Sequence, residues 1–182
     1  MSGPRIVAVA GSLSAPSRTQ LVTSHVAGRI AARSGGSVTL VDVATLAPDL
    51  GRSFSRPAVG SVETALKAIE QAHLIVAGSP VYKGSYAGFF KHLVDLIDYR
   101  ALAGVPVALL ATGGSDRHAL VVEHQMRPLF ASFDAHTLPT AVFVVDRDVE
   151  SDGRVTDERV AARIDALIRE AAGAVQRPAV AA

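Results

Sequence analysis

The chain has 182 residues, of which 49% are hydrophobic and 19% charged, and its formal net charge at pH 7 is +1. A chain of this length can bury one sizeable core, so we predict a single domain over residues 1–174 and a frayed tail over residues 175–182. The near-neutral charge argues against a nucleic-acid partner, which would require a strongly basic surface. Because cysteine is absent, disulfides, a thiolate nucleophile and a cysteine metal site are all excluded.

The apolar segments are too short for a membrane protein. The longest, such as Leu74–Ala77 and Val105–Ala111, fall far short of the roughly 20 residues that a membrane-spanning helix needs. The first apolar run ends at Gly11-Ser12, which makes it too short for a signal peptide. We therefore expect a cytoplasmic protein without a membrane segment.

Strands and helices alternate along the chain. The first predicted strand is Ile6–Ala10, and the helix after it ends at Gly35-Gly36. The other predicted strands are Ser37–Val43, Leu74–Gly78, Val105–Thr112 and Leu138–Val145. Helices are predicted over about Ser61–Ala72, Ala87–Tyr99 and Asp116–Phe133, followed by one that Thr156 or Asp157 caps and that runs to about Ala172. Pro48–Gly60 is predicted to be a long surface loop.

This alternation predicts an α/β fold in which helices cover both faces of a parallel sheet. Five strands with right-handed crossovers fit a flavodoxin-like three-layer sandwich, with a five-stranded parallel sheet of order 2-1-3-4-5. In such a sheet a ligand binds beyond the carboxyl ends of the strands, between the first and the third. The loops after the first, third and fourth strands are therefore the candidate site.

The loop after the first strand is rich in groups that can donate hydrogen bonds to a phosphate. It opens directly into a helix and carries four hydroxyls and one guanidinium, from Ser12, Ser14, Ser17, Thr19 and Arg18. It has neither the P-loop spacing nor the G-x-G-x-x-G spacing of dinucleotide sites. Serine and threonine are also ordinary helix caps, so the loop by itself leaves both interpretations open.

The other two loops are suited to a flat ring. The segment after the third strand contains Pro80, Val81, Tyr82 and Lys83, and it predicts a rigid shelf with an aromatic side chain and a cation. A tight turn over the core, with the lysine in solvent, is the alternative. The segment after the fourth strand, Gly113, Gly114, Ser115 and Asp116, offers donors at a helix start, although such turns are common. Together the three loops favour FMN, which has a phosphate at one end and a planar hydrogen-bonding ring at the other.

The predicted helix Asp116–Phe133 contains Pro128, which cannot donate to the carbonyl of His124 four residues earlier. The helix must therefore kink, break or form a π-bulge near His124, or else restart with Pro128 in its first turn. The six histidines show no metal-ligand spacing, so no metal is predicted. No nucleophile motif is present either, and no catalytic side chain is predicted.

Three stretches carry a resemblance to a known family: Gly11–Thr19, Gly78–Lys83 and Ala111–Leu120. They resemble the motifs of NAD(P)H-dependent FMN reductases, in particular those of methanesulfonate and alkanesulfonate desulfonation systems. The resemblance implies that Ser12, Ser17, Arg18 and Thr19 hold the phosphate. It also implies that Pro80, Val81, Tyr82 and Gly113–Asp116 frame the ring. Many relatives carry an arginine where this chain has Ser14, which leaves Arg18 as the only strong cation of the loop.

The resemblance also implies the activity. NADH or NADPH would pass a hydride to FMN, and the reduced FMN would leave for a separate flavin-dependent monooxygenase that cleaves C–S bonds in small sulfonates. It favours the π-bulge, with His124 acting in assembly and flavin transfer, and it suggests a homodimer or a tetramer. The cofactors supply the hydride chemistry, so the protein has only to orient and shield them.

The sequence leaves open two alternative enzyme activities and two alternative classes of non-enzymatic protein. A quinone or azo reductase on the same fold would retain its FMN. A flavodoxin-like electron carrier would lack nicotinamide turnover, and it would usually present an acidic docking surface that a net charge of +1 does not favour. A non-catalytic nucleotide-binding module is the last alternative.

Overall fold

A computed structural model of the protein describes residues 3–176. Its strands are β1 (Arg5–Ala10), β2 (Ser37–Asp42), β3 (Leu74–Tyr82), β4 (Ser85–Tyr86), β5 (Pro106–Gly113), β6 (His136–Thr137) and β7 (Val142–Val145). Its α-helices are α1 (Arg18–Ser34), α2 (Val43–Leu50), α3 (Gly60–Glu70), α4 (Gly88–Asp95), α5 (Arg127–Ala131) and α6 (Glu158–Gln176). Short 3₁₀ turns occupy Asp116–His118 and Asp146–Asp148, and a π-helix occupies Val122–Met126.

The sheet has the predicted order. β2, β1, β3 and β5 are parallel neighbours in that sequence, and both β6 and β7 pair in parallel with the outer side of β5. β6 pairs at Pro106-Val107 and β7 at Leu110–Gly113, so two short strands share the fifth position. The 2-1-3-4-5 order is confirmed, and the fold is flavodoxin-like.

The sheet has seven strands rather than five for two reasons. The predicted strand Leu138–Val145 forms only from Val142 onward, as β7, and a further short strand, β6, precedes it; Pro139, which has no N–H to donate, lies between the two. The seventh strand is β4, which turns back on the end of β3 as an antiparallel hairpin. Neither change alters the parallel core of the sheet.

Both faces of the sheet are buried, as predicted for a parallel sheet. Along β1, Val7 and Val9 face the layer of α2 to α5, where Phe90 and Phe130 are among the largest buried side chains. Ile6 and Ala8 on the same strand face α1 and α6. This alternation gives the sheet one apolar layer on each side.

The segment after β2 differs from the prediction. Pro48–Gly60 is not loop throughout, because α2 reaches Leu50 and α3 begins at Gly60. Asp42 caps α2 by accepting a hydrogen bond from the N–H of Ala44 at 3.1 Å. Pro48 lies inside α2 near its C-terminal end, where it cannot donate to the carbonyl of Ala44 four residues earlier.

The bounds of α4 and α6 also differ from those predicted. The helix predicted to reach Tyr99 stops at Asp95. Asp157, one of the two predicted caps, accepts from the N–H groups of Arg159 and Val160 and begins α6. α6 runs to Gln176, so the predicted tail starts inside a helix, and the rest of that prediction falls on residues 177–182, outside the described part. No helix among the described residues is long and apolar enough to cross a bilayer.

Candidate functional site

A crevice opens where β1 and β3 separate. β1 ends at Ala10, which pairs with Gly78, whereas β3 continues to Tyr82 with β5 as its parallel neighbour. Beyond Gly78, the edge of β3 that faces β1 therefore has no parallel neighbouring strand. This explains why Pro80 is accepted within the strand, since a strand with an open side can accommodate a residue without an N–H.

Two glycines bring the strand ends against their helices. A Cβ at Gly78 would overlap the side chain of Thr23 on α1, and a Cβ at Gly11 would lie 2.7 Å from the ring of Phe90 on α4. The N–H of Gly11 donates to the carbonyl of Gly78 at 2.8 Å. The floor of the crevice is consequently rigid, because neither position has space for a side chain.

The loop between β1 and α1 places hydrogen-bond donors at the helix start. Ser17 caps α1, with its hydroxyl accepting from the N–H of Gln20 at 3.1 Å, and the Ser12 hydroxyl accepts from the N–H of Ser14 at 3.1 Å. Each hydroxyl keeps its own proton, which it can donate to an anion. The first turn of a helix of 17 residues adds backbone N–H groups and a positive dipole end.

Arg18 and Thr19 lie at the predicted place, but their side chains already have protein partners. Arg18 donates from Nη1 to the carbonyl of Val149 at 2.9 Å, and so joins α1 to the loop that precedes α6. The buried Thr19 hydroxyl lies 2.7 Å from that of Thr112 and joins α1 to β5. Thr19 could therefore meet a phosphate through its N–H, while Arg18 keeps further guanidinium donors for one.

The segment after β3 is a hairpin. Val81 pairs with Tyr86 and Tyr82 with Ser85, and the intervening Lys83 and Gly84 have φ values of 52° and 80°. Positive φ at both central residues is the pattern of a two-residue type I′ turn. The side chain of Tyr82 is 51% exposed, so it is available to pack on a ligand rather than serving only to cover the core.

Ser79 fixes the base of this hairpin, and the sequence had given it no role. Its buried hydroxyl donates to the carbonyl of Pro80 and accepts from the N–H of Ala87, each at 3.0 Å. The hairpin is thereby held between β3 and the start of α4. A serine directly before a proline at a strand end was the only available signal.

The segment after β5 lies beside the hairpin. A Cβ at Gly113 would lie 3.1 Å from the ring of Phe143 and 3.7 Å from Cβ of Val81, so the segments after β3 and β5 lie against each other. Gly114 is different, since an added Cβ there would meet no heavy atom within 4 Å. Ser115 is extended, with φ of −154°, and leads into the 3₁₀ turn that begins at Asp116. The backbone therefore borders open space at Gly114, directly after the packed Gly113.

The predicted irregularity near His124 is a π-helix. The N–H of Arg127 donates to the carbonyl of Val122, five residues earlier, and Pro128 follows directly in the first turn of α5. The π-bulge is thus confirmed, and so is the restart of the helix at the proline. His124 is exposed on this segment. The Ser85 hydroxyl lies 3.1 Å from Oε1 of Gln125 and connects the segment to the hairpin.

An ion pair stabilises the π-helix from within, and one further hydrogen bond of its arginine reaches the backbone between β6 and β7. Arg127 donates from Nε and Nη2 to the two carboxylate oxygens of Glu123, at 2.6 and 3.0 Å, and from Nη1 to the carbonyl of Leu138 at 2.8 Å. The hydrogen bonds from Arg127 lower the pKa of Glu123 below its ordinary value. The same guanidinium also stabilises the backbone at the break between β6 and β7.

The donors fit FMN better than a metal. Within residues 3–176, no three histidine, aspartate or glutamate side chains come close enough together to hold a metal ion. The crevice instead presents hydroxyls and helical N–H groups at one end, and at the other an exposed tyrosine beside open glycine backbone. That combination suits a phosphate ester joined to a flat ring.

Comparisons with known proteins agree with this geometry. The family model for NADPH-dependent FMN reductases matches residues 4–150. The NADH-dependent FMN reductase SfnF of Pseudomonas putida is 51% identical over 141 residues, which is 76% of this chain and 76% of the relative. An FMN reductase (NADPH) of Pseudomonas aeruginosa is 40% identical over 174 residues, covering 94% of this chain and 93% of the relative.

A solved structure supports the same assignment. An oxidoreductase of Corynebacterium diphtheriae superposes with a TM-score of 0.85 at 29% identity, and the match covers 96% of this chain and 98% of that one. The chain therefore belongs to the NADPH-dependent FMN reductase family, as its motifs had suggested.

Proposed function

We propose that the chain transfers a hydride from NADH or NADPH to FMN and then releases the reduced flavin to a separate flavin-dependent monooxygenase. The observation that carries the proposal is the crevice between β1 and β3, with anion donors at one end and the exposed Tyr82 with the Gly113-Gly114 backbone at the other. One hydride and one proton convert FMN to its reduced form and NAD(P)H to NAD(P)⁺.

The side chains of the crevice bind and orient rather than react. Ser12, Ser14, Ser17, Arg18 and the N–H of Thr19 would receive the phosphate, and Pro80, Val81, Tyr82, Gly113, Gly114 and Ser115 would frame the ring. Lys83 and Asp116 lie at the rim, where they would meet polar atoms of either substrate. Holding the nicotinamide against the ring supplies proximity and excludes water, and neither effect needs a side-chain acid or nucleophile.

Exchange of the flavin is favoured by the modest charge of the phosphate site. Arg18 divides its donors between Val149 and any phosphate, and the remaining contacts come from neutral hydroxyls and N–H groups. Such a site offers less electrostatic attraction to a doubly charged phosphate than a site with several cations. FMN would then act as a substrate that arrives oxidised and leaves reduced.

The experiment is an assay of NADH and NADPH oxidation by the purified chain over a range of FMN concentrations. A rate that rises and saturates with added FMN supports the proposal. Turnover by a flavin that stays with the protein through gel filtration, and that needs an added quinone or azo dye, would instead favour a quinone or azo reductase. If neither nicotinamide is oxidised, the chain is a carrier or a binding module.

Release of the reduced flavin and assembly of the subunits are tested by a separate experiment. His124 is exposed on the π-helix, and we propose that it acts at a contact between subunits of a dimer or tetramer and so affects flavin exchange. A His124→Ala variant should change the sedimentation of the assembly or the dissociation rate of FMN. If both match those of the wild-type chain, His124 has neither role.

A further inference from the structure

A second, smaller pocket lies at the tip of the hairpin. It has a volume of about 210 Å³, and its wall includes Gly84, Arg117, His118, His124 and Gln125. Gly84 directly follows the shelf residue Lys83, and Arg117 directly follows Asp116. The pocket therefore begins where the two ring-framing segments end in the chain.

The wall of this pocket carries basic side chains that have no partner. Among residues 3–176, no side-chain hydrogen bond or ion pair engages Arg117, His118 or His124. Two other arginines differ, since Arg127 is bonded to Glu123 and Arg18, in the β1–α1 region, to the carbonyl of Val149. A guanidinium without an acceptor beside an imidazole is suited to an anion, so Arg117 and His118 are the residues assigned to it, and His124 keeps the role at a subunit contact proposed above.

The carboxylates near the pocket leave this positive character in place. Glu123 accepts two hydrogen bonds from Arg127, so its charge is already compensated. Asp116 is the other acid, and it lies at the surface at the start of the 3₁₀ turn. The hydrogen bond between Ser85 and Gln125 joins the two walls of the pocket and keeps its shape.

We propose that this pocket binds a phosphate group of the nicotinamide dinucleotide, an inference that rests on the proposed function. Its volume is below the range of about 300–1,000 Å³ that whole small-molecule ligands occupy, so it holds one part of a ligand. A dinucleotide whose nicotinamide lies on the flavin ring extends beyond the ring frame, and the pocket adjoins that frame. The group is either the 2′-phosphate of NADPH or the pyrophosphate common to NADPH and NADH.

The test is an Arg117→Gln variant assayed at saturating FMN with each nicotinamide in turn. We expect the KM for NADPH to rise about tenfold with kcat little changed, because a binding contact is lost while the reacting atoms are untouched. A rise for NADPH alone assigns the 2′-phosphate, and a rise for both nicotinamides assigns the pyrophosphate. Arg117→Lys, which keeps the charge, should restore part of the affinity.

Arg169→Gln is the matched control, since Arg169 is an exposed arginine on α6 outside the pocket. The KM values of this variant should equal those of the wild-type chain. Unchanged KM values for both nicotinamides in Arg117→Gln would overturn the proposal. So would a change confined to the FMN concentration that gives half-saturation, because that would assign Arg117 to the flavin.

A direct binding measurement separates failure of the pocket from failure of the proposed function. Adenosine 2′,5′-bisphosphate and AMP are titrated calorimetrically into the folded wild-type chain and into Arg117→Gln. Binding to the wild-type chain that the variant weakens supports the pocket, and equal binding to both refutes it. A wild-type chain that oxidises neither nicotinamide would refute the reductase proposal, whatever the titration gives.

Discussion

Two helical regions border the crevice, and they are built in opposite ways. α1 is a regular helix of 17 residues that Ser17 caps and that ends at Gly35 with a left-handed φ of 68°. The segment from Asp116 to Ala131 instead passes through a 3₁₀ turn, a π-helix and a short α-helix. The side chain of Leu120 in this second segment is 64% exposed.

The contrast indicates which part of the site is fixed and which part can adapt. α1 is bound into the sheet by the buried bond between Thr19 and Thr112 and by the close packing of Thr23 on Gly78. The second segment also buries Val122, Met126 and Phe130 in the core, and polar contacts of Arg127 and Gln125 tie its edges. Asp116–Leu120, at the start of this segment, are exposed, and because regions with fewer buried contacts open at lower cost in free energy, exchange of substrates is expected on this side.

The largest expected effect concerns the rigid region. Gly78→Ala places a methyl group where the Thr23 side chain lies, and overpacking of this kind should lower the free energy of unfolding by about 3 kcal/mol. Gly28→Ala is the control on α1 itself, because an added Cβ there meets no heavy atom within 4 Å. The control should raise the free energy of unfolding by about 1 kcal/mol through helix propensity. Urea unfolding of both variants measures the difference.

The result for Gly78→Ala also tests the packing itself. If its unfolding midpoint equals that of the wild-type chain, the packing around Gly78 rearranges to accept a methyl group. The inference that α1 is rigidly fixed to the sheet would then be wrong. A loss of stability in Gly28→Ala would show that α1 tolerates less change on its outer surface than its contacts suggest.

The next effect concerns the one cation of the β1–α1 loop. Arg18→Ala should raise the FMN concentration for half-saturation about tenfold, with little change in the rate at saturating flavin. It should also speed amide hydrogen exchange in residues 146–156, because the carbonyl of Val149 loses its donor. Arg33→Ala, at the far end of the same helix, is the control and should change neither quantity. An unchanged half-saturation in Arg18→Ala would contradict a role for this residue at the phosphate.

The smallest effect is a dependence on pH in the π-helix region. The pKa of Glu123 lies below its ordinary value of 4.5 because Arg127 donates hydrogen bonds to the carboxylate. A pKa that is lowered by folding adds stability above the unfolded value, and that stability is lost as the pH falls through the lowered pKa. The stability difference between wild-type and Glu123→Gln chains should therefore shrink below about pH 4.5, as measured by urea unfolding. A difference that does not vary with pH would exclude the ion pair as its source.

The local signals in the sequence predicted the start, end or irregularity of a helix where neighbouring residues alone determine it. Ser17 as a cap, Gly35 as a helix end and the conflict caused by Pro128 were each readable from a few neighbouring residues. These local signals gave a wrong prediction where packing against residues distant in the chain determines the secondary structure. Pro48 suggested a loop, yet α2 forms there because Leu46 and Leu50 pack in the core.

The order of strands and helices, their parallel pairing and the three loops at one edge were determined by the sequence itself, because hydrophobic periodicity and turn residues act over short distances. Only the tertiary structure decided how the side chains of those loops are used. It assigned the Thr19 hydroxyl to Thr112 and one donor of Arg18 to Val149, and within the described part of the chain it gave the side chains of Arg117 and His118 no partner. The reason is physical: a hydrogen bond between residues about a hundred positions apart depends on where two elements pack, which no local pattern encodes.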